Sequence, residues 1–243
     1  MTSRWRLLFT EPLDGIDNMA LDHALLARAA RTGECVLRVY SWASPTVSFG
    51  RHQRTAGTYD HIALDVVRRP TGGRAVLHAR EATYSVTAPV TRPLRATYAG
   101  INSLLLDALQ HLGVDAALAH ATSSPPPDAA ACFETATEGE IVVGGRKLAG
   151  SAQWRNGGAL LQHGSILIDD DQSLLGPSTT PPATLRAALG RAPTVHEIAD
   201  ALFDAARATL DPDATPLVLD PEVCADVEKF RALYADKKWT WRA

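Results

Sequence analysis

Cys132 and Lys147 stand 15 positions apart (147 − 132) in the segment CFETATEGEIVVGGRKLAGSAQ. A thiol and an amine brought together can run acyl transfer, because the thiolate is the nucleophile and a neighbouring cation or base eases loss of its proton. Neither residue would say this alone. A lysine on a strand is commonly a solvated surface group, and a single cysteine is commonly a small buried hydrophobe. The local pattern shows how the lysine is presented. Glu140-Ile141-Val142-Val143 is a short β-branched run, Gly144-Gly145 suits a type I′ turn, and Arg146-Lys147-Leu148-Ala149 leads back. A two-residue hairpin pairs Val143 with Arg146 and Val142 with Lys147. Uninterrupted alternation then predicts Lys147 and Ser151 on one face, Leu148 and Gly150 on the other. Gly150-Ser151-Ala152 would let a ligand approach the backbone closely.

Two further clusters add binding chemistry. Arg68-Arg69-Pro70-Thr71-Gly72-Gly73-Arg74 lies between the apolar runs Val66-Val67 and Ala75-Val76-Leu77-His78. Consecutive glycines allow peptide N–H groups to converge on an anion or carbonyl, and Arg69 and Arg74 add fixed donors. The plainer alternative is a tight turn with solvated arginines. The third cluster, Gly157 to Ile168, reads as a buried strand interrupted by Gln162-His163-Gly164-Ser165. His163 by itself suits a core histidine, and Gly164 could mark close approach of a bound chain.

The elements that must position these clusters are short strands and a few long helices. Trp5 to Phe9 reads as a strand, and Asp17 or Asn18 caps a helix running to about Arg31 with Gly33 as its stop. Strands are expected at Val36 to Trp42, Thr46 to Phe49, Asp65 to Arg69, Ala75 to His78 and Thr83 to Ala88. Leu94 to Leu112 has helical spacing and ends at Gly113. Ser123 to Asp128, rich in proline, is an exposed loop leading to Cys132. Leu174 to Ala192 reads as irregular or partly helical. Thr194 with Glu197 forms a capping box for a helix to about Leu210, and Pro221 opens a last helix to about Tyr234. Strands interspersed with helices, without strict βαβ alternation, indicate an α+β fold: one domain over 1–243 with a mixed β-sheet packed by helices.

Composition narrows the class. The 243 residues can bury an adequate single core, and 46% are hydrophobic. A net charge of −3 gives no global basic signature, so nucleic acid is not an expected partner. No run is long enough to span a membrane and the first residues lack a signal-like apolar stretch, so no membrane partner and a cytoplasmic location are expected. The three cysteines, Cys35, Cys132 and Cys224, are scattered without C-x-x-C spacing, which argues against a disulfide framework or a zinc site. The eight histidines show no metal-ligand spacing. Neither a metal nor another cofactor is therefore expected.

Taken in order, RRPTGGRAVLH, GRKLAGSAQ and LLQHGSIL resemble the catalytic domain of the biotin/lipoate protein ligase superfamily. The opening Asp17-Asn18-Met19-Ala20-Leu21-Asp22 and the closing Lys238-Trp239-Thr240-Trp241 resemble that family's first helix and tail, so the likeness covers nearly the whole chain. His23 departs from the acidic residue often found at its position. The resemblance is nearest to the cysteine-dependent octanoyltransferases, since Cys132 precedes the lysine hairpin and Gly139-Glu140 stands where ATP-using lipoate ligases usually carry Asn-Asp. It implies no further C-terminal accessory domain of the kind those ligases often need. It also implies an octanoyl acyl carrier protein as donor and a lysine of a lipoyl domain or glycine-cleavage carrier protein as acceptor, joined by a Cys132 thioester. Lys147 would assist proton transfer. Arg69, Thr71, Gly72, Gly73 and Arg74, with Gly150, Ser151 and Ala152, would hold the acyl group and supply oxyanion donors, while His78, His163 and Gly164 line the pocket. Three other readings stay open: an ATP-dependent lipoate or octanoate ligase, an amidotransferase between lipoyl proteins, and a silent acyl- or carrier-binding module.

Overall fold

The computed structural model describes residues 4–55, 59, 63–120, 133, 136–169, 172–175 and 180–242. Strand β1 (Trp5–Phe9) leads to helix α1 (Gly15–Thr32), followed by β2 (Cys35–Tyr40), β3 (Thr46–Phe49), β4 (Asp65–Arg68), β5 (Val76–His78) and β6 (Glu81–Pro89). Helix α2 (Leu94–His111) precedes β7 (Ala117–Leu118), β8 (Ile141–Val143), β9 (Arg146–Asn156) and β10 (Ala159–Leu167). Then come α3 (Leu185–Leu189), α4 (Val195–Thr209), β11 (Thr215–Pro216), α5 (Pro221–Ala235) and α6 (Lys237–Thr240).

The strands form a mixed eight-stranded sheet, β11-β1-β2-β6-β10-β9-β8-β7, and a three-stranded sheet with β3 between β4 and β5. The fold is α+β, as the sequence indicates. One face of the large sheet carries the main core, where Leu37, Val39, Tyr84 and Val86 meet Leu104, Leu105 and Leu109 of α2 and Ile198 and Leu202 of α4. Burial of each such large apolar side chain stabilises by about 1.5–3 kcal/mol. Helix α1 covers the other face, with α5 packed on it: Leu21, Ala24 and Leu25 meet Val36 and Val223.

Local signals explain most boundaries. Asp14 caps α1 by accepting from the Asp17 amide, three residues ahead of the expected cap, and Gly33 ends the helix at φ 74°. Thr194 and Glu197 form the expected capping box of α4, and Pro221 opens α5. Three expectations are corrected. β10 runs unbroken from Ala159 to Leu167, so Gln162-His163-Gly164-Ser165 does not interrupt it. α5 is not the last helix, because α6 follows. β9 carries a bulge, since Ile141 pairs with Ala149 while Val142 pairs with Lys147, leaving Leu148 extra. The Pro-rich stretch 123–128 lies outside the described residues.

Candidate active site

The hairpin that presents Lys147 follows the expected register, Val143 opposite Arg146 and Val142 opposite Lys147, with Gly144 and Gly145 at φ 55° and 74°. The bulge changes which way the lysine points. A β-carbon on Gly150 would sit 2.8 Å from Lys147 Cε and 3.1 Å from Nζ, so the amine folds over Gly150 on the α1 face of the sheet. Ser151 points the other way, toward the α2 layer, where its Oγ lies 2.6 Å from Tyr84 Oη. The expected pairing of Lys147 with Ser151 on one face is therefore corrected. Lys147 Nζ donates to Glu140 Oε1 at 2.8 Å, with both side chains at most 5% exposed. Glu140 Oε2 accepts the Thr137 amide at 2.8 Å. The Phe133 ring lies 5.2 Å from Nζ and packs with Val76 and Leu167.

One row of paired residues, with His163 and Ala152 of the next, floors a cavity of about 410 Å³ beside this lysine. Tyr40, Thr83, Ser165 and Gly150 pair in turn across β2, β6, β10 and β9. Arg38, Ser85, His163 and Ala152 form the next row. The opposite wall is the 69–74 loop. The cavity has an apolar region at Met19, Tyr40 and Trp42 and a polar one at Lys147, Glu140 and Tyr98. That combination, mostly apolar with a few placed polar groups, is the usual form of a small-molecule site.

Buried polar chains hold the walls. Asp22, on the inner face of α1, accepts Arg38 Nη1 and Ser85 Oγ on one oxygen, both at 2.8 Å, and Tyr40 Oη at 3.0 Å on the other. Burial pushes its carboxyl up, but the Arg38 charge and the His163 contact more than offset this and hold it below the usual range. The ionised carboxylate can only accept, so His163 Nδ1 donates to it at 3.1 Å and Nε2 is left to accept from Thr71 Oγ1 at 2.7 Å. Thr71 is thereby anchored behind the loop. Arg69 completes the loop, donating to the Ser48 carbonyl at 2.9 Å and to the Gly72 and Arg74 carbonyls at 2.9 and 2.7 Å. His78 stacks on Trp42 at 3.9 Å between ring centroids, and its Nε2 lies 2.7 Å from Ser48 Oγ. Burial holds His78 below the usual imidazole range, with Glu81 opposing.

The residues singled out in the sequence mostly converge. Arg69, Gly72, Gly73, Arg74, His78, Lys147, Gly150, Ser151, Ala152, His163 and Gly164 all border the cavity. Thr71 sits behind it, fully buried. Gly164 borders it with its backbone, and its missing side chain has a packing reason: a β-carbon there would meet the Gly150 carbonyl at 2.2 Å and Tyr84 at 2.9 Å. Cys132 lies outside the described residues. His23 is elsewhere, stacked on Phe230 at 3.6 Å, and burial, then the Arg51 charge, lower it to about 4. Asp22 and Glu140 were missed as site residues. An acid on the buried face of an amphipathic helix was the available signal for Asp22.

Residues 14–207 match the lipoyl protein ligase A/B catalytic domain. The chain belongs to this family. Relatives named octanoyltransferase LipM include one from Kyrpidia tusciae, 36% identical over 271 residues and covering 98% of each chain, and one from Symbiobacterium thermophilum, 45% identical over 190 residues, 72% of this chain and 69% of the relative. Among solved structures, lipoate-protein ligase A bound with ATP superposes at TM-score 0.80 with 20% identity over 98% of each chain. A bi-partite lipoate protein ligase from Thermoplasma acidophilum gives TM-score 0.77 at 20% identity, covering 98% of this chain and 96% of that one. At that identity the likeness carries the lipoyl ligase fold. Among the described residues no helix is long and apolar enough to cross a membrane.

Proposed function

We propose that this chain is an octanoyltransferase of lipoate biosynthesis, moving an octanoyl group from acyl carrier protein to a lysine of a lipoyl domain or glycine-cleavage carrier protein through a Cys132 thioester. The observation that carries the reading is the buried Lys147–Glu140 pair facing an apolar cavity, in a chain whose full-length relatives bear the name octanoyltransferase. Phe133, the residue after Cys132, packs against Lys147, which supports a thiol working with this amine. The apolar walls at Met19, Tyr40 and Trp42 suit an alkyl chain.

In the first step the Cys132 thiolate attacks the donor's thioester carbonyl, a new C–S bond forms, and the donor thiol leaves with a proton. Lys147 stabilises the thiolate, and Glu140, 2.8 Å from its Nζ, can take a proton that the lysine passes on. Backbone N–H groups of the 69–74 loop are the donors for the oxyanion. In the second step the acceptor's deprotonated lysine attacks the octanoyl-Cys132 carbonyl, the amide forms, and Cys132 leaves as thiolate to recover a proton. The reaction needs no metal or nucleotide.

Intact mass spectrometry after incubation with octanoyl carrier protein tests the reading. The wild type should gain one octanoyl mass and Cys132→Ala none; an acceptor domain lacking its target lysine should leave the octanoyl-enzyme to accumulate. Transfer by Cys132→Ala at the wild-type rate, or a requirement for ATP, would overturn it.

A further inference from the structure

A surface next to the 69–74 loop carries cations that make no ion pair among the described residues. Among the described residues Arg51, Arg54, Lys237, Lys238 and Arg242 make no ion pair, whereas Arg6, Arg28, Arg31, Arg186, Arg191 and Arg231, on other parts of the surface, all do. Arg92, Arg95, Arg146, Arg155 and Lys229 also make no ion pair among the described residues, but Arg51, Arg54, Lys237, Lys238 and Arg242 stand on two segments that meet. Arg68 joins the two segments, donating to the Gly50 and Gln53 carbonyls on one side and the Trp239 and Thr240 carbonyls on the other. Asp236, exposed beside Lys237 and Lys238, caps α6 by accepting the Lys238 amide at 2.8 Å. Burial first, then the charges of Arg242 and Arg69, hold Arg68 down to about 10, an independent sign that positive charge accumulates here.

Within the patch two guanidiniums are fixed by aromatic rings. Arg51 lies over Trp154 at 5.2 Å and Trp239 at 5.5 Å, and Arg242 lies over Trp239 at 4.1 Å. Stacking leaves the in-plane N–H groups of a guanidinium available and lowers the entropy cost of using them. The position adjoins the cavity wall without lining it. The Arg51 amide donates to the Thr71 carbonyl at 2.8 Å, Gly50 stacks directly on the Gly73 carbonyl, and Trp154 follows Gln153, a residue of the cavity wall. Arg51 thus spans from the 69–74 loop to β9. The Lys147 amine lies over Gly150, and from Gly150 to Trp154 is four residues of β9 (154 − 150), or roughly 13 Å at a strand rise of about 3.3 Å. A long, extended thiol arm would cover that distance with its sulfur at the lysine.

We propose that Arg51 and Arg242 form a phosphate-binding clamp that holds the phosphodiester of the acyl donor's pantetheine arm while its thioester reaches Lys147. This rests on the reading that the donor is a carrier-protein thioester. Phosphate oxygens match bidentate guanidinium donors, which a bare thioester does not offer.

The test compares octanoyl-pantetheine with octanoyl-4′-phosphopantetheine as small donors, alongside octanoyl carrier protein. The wild type should show a KM at least about tenfold lower for the phosphorylated small donor, an advantage that shrinks as salt rises. Arg51→Gln and, separately, Arg242→Gln should each raise KM for the phosphorylated donors with kcat little changed, and leave octanoyl-pantetheine unaffected. Equal KM for the two small donors in the wild type would overturn the proposal. So would variants that weaken only the protein-borne donor, which would assign the patch to an acidic protein surface. If no donor supports transfer, the functional reading above fails on its own terms. The clamp is then judged by calorimetric binding of phosphopantetheine against pantetheine, where equal affinity in wild type and Arg51→Gln refutes it.

Discussion

Glu140→Gln should isolate a buried charge and show its cost as a function of pH. The Lys147 side chain is 2% exposed and its Nζ lies 2.8 Å from Glu140 Oε1. Removing one member of a buried ion pair costs about 3–5 kcal/mol, because the remaining charge is uncompensated. The protein has one escape, which is to release the lysine proton. For an ordinary lysine titrating near 10.4, doing so at pH 7 costs about 1.36 × 3.4, or roughly 4.6 kcal/mol. The two routes agree, so a loss of about 3–5 kcal/mol is expected at pH 7. The escape route also fixes a sign. With the lysine neutral in the folded variant and charged in the unfolded chain, the unfolded state binds one more proton, and stability rises by about 1.4 kcal/mol per pH unit toward pH 10. The deficit relative to wild type should therefore narrow between pH 7 and pH 9. Urea unfolding of both proteins at pH 7, 8 and 9 measures it. A loss below about 1 kcal/mol at pH 7, or one that stays constant as pH rises, would refute the reasoning.

Lys147→Arg should fold, since a guanidinium can still pair with Glu140, but lose most transfer activity because it cannot hand on a proton at working pH; full activity would mean that the position supplies positive charge alone. Gly150→Ala places a methyl 2.8 Å from Lys147 Cε, at the flexible end of a side chain, so stability should change by less than about 1 kcal/mol while octanoyl transfer falls at least about tenfold. Thermal melts and single-turnover rates separate these effects, and an unimpaired rate would show that the lysine's position over Gly150 does not matter.

What the sequence made legible was local. Gly144-Gly145, Gly33, Thr194 with Glu197, and Pro221 each have one conformational consequence, and each turned up where that consequence required. What it hid depends on distant partners. His163 looked like a break in a strand because its neighbours in sequence are polar, yet Asp22, 141 residues away, satisfies its ring and keeps the strand continuous. The bulge at Leu148 has no residue signature, so simple alternation put Lys147 beside Ser151, and only the strand register reverses it. Glu140 was read as a substitution for another family's residue, whereas its meaning comes from the lysine across the hairpin. Helix α6, only four residues long, carries too few positions for periodicity to register.

Glu140 lines the cavity and Asp22 is fully buried beneath it, each beside a cation, and the difference between them bears on which one the proposed mechanism can use for proton movement. A carboxylate offers about four lone-pair sites. Asp22 fills four, with Arg38, Ser85, Tyr40 and His163, and these donors come from α1's neighbours at the centre of the sheet. Protonating it would break several buried contacts at once, so it acts as a fixed charge that sets the His163 tautomer and the Thr71 loop anchor. Among the described residues Glu140 accepts two donors, Lys147 Nζ and the Thr137 amide, one on each oxygen. Capacity remains for a proton, and the group that would deliver it is already in hydrogen-bond contact. In the proposed mechanism the proton-handling pair is therefore the one at the β8–β9 hairpin, where a carboxylate is half satisfied among the described residues, and the saturated pair under α1 is a fixed support.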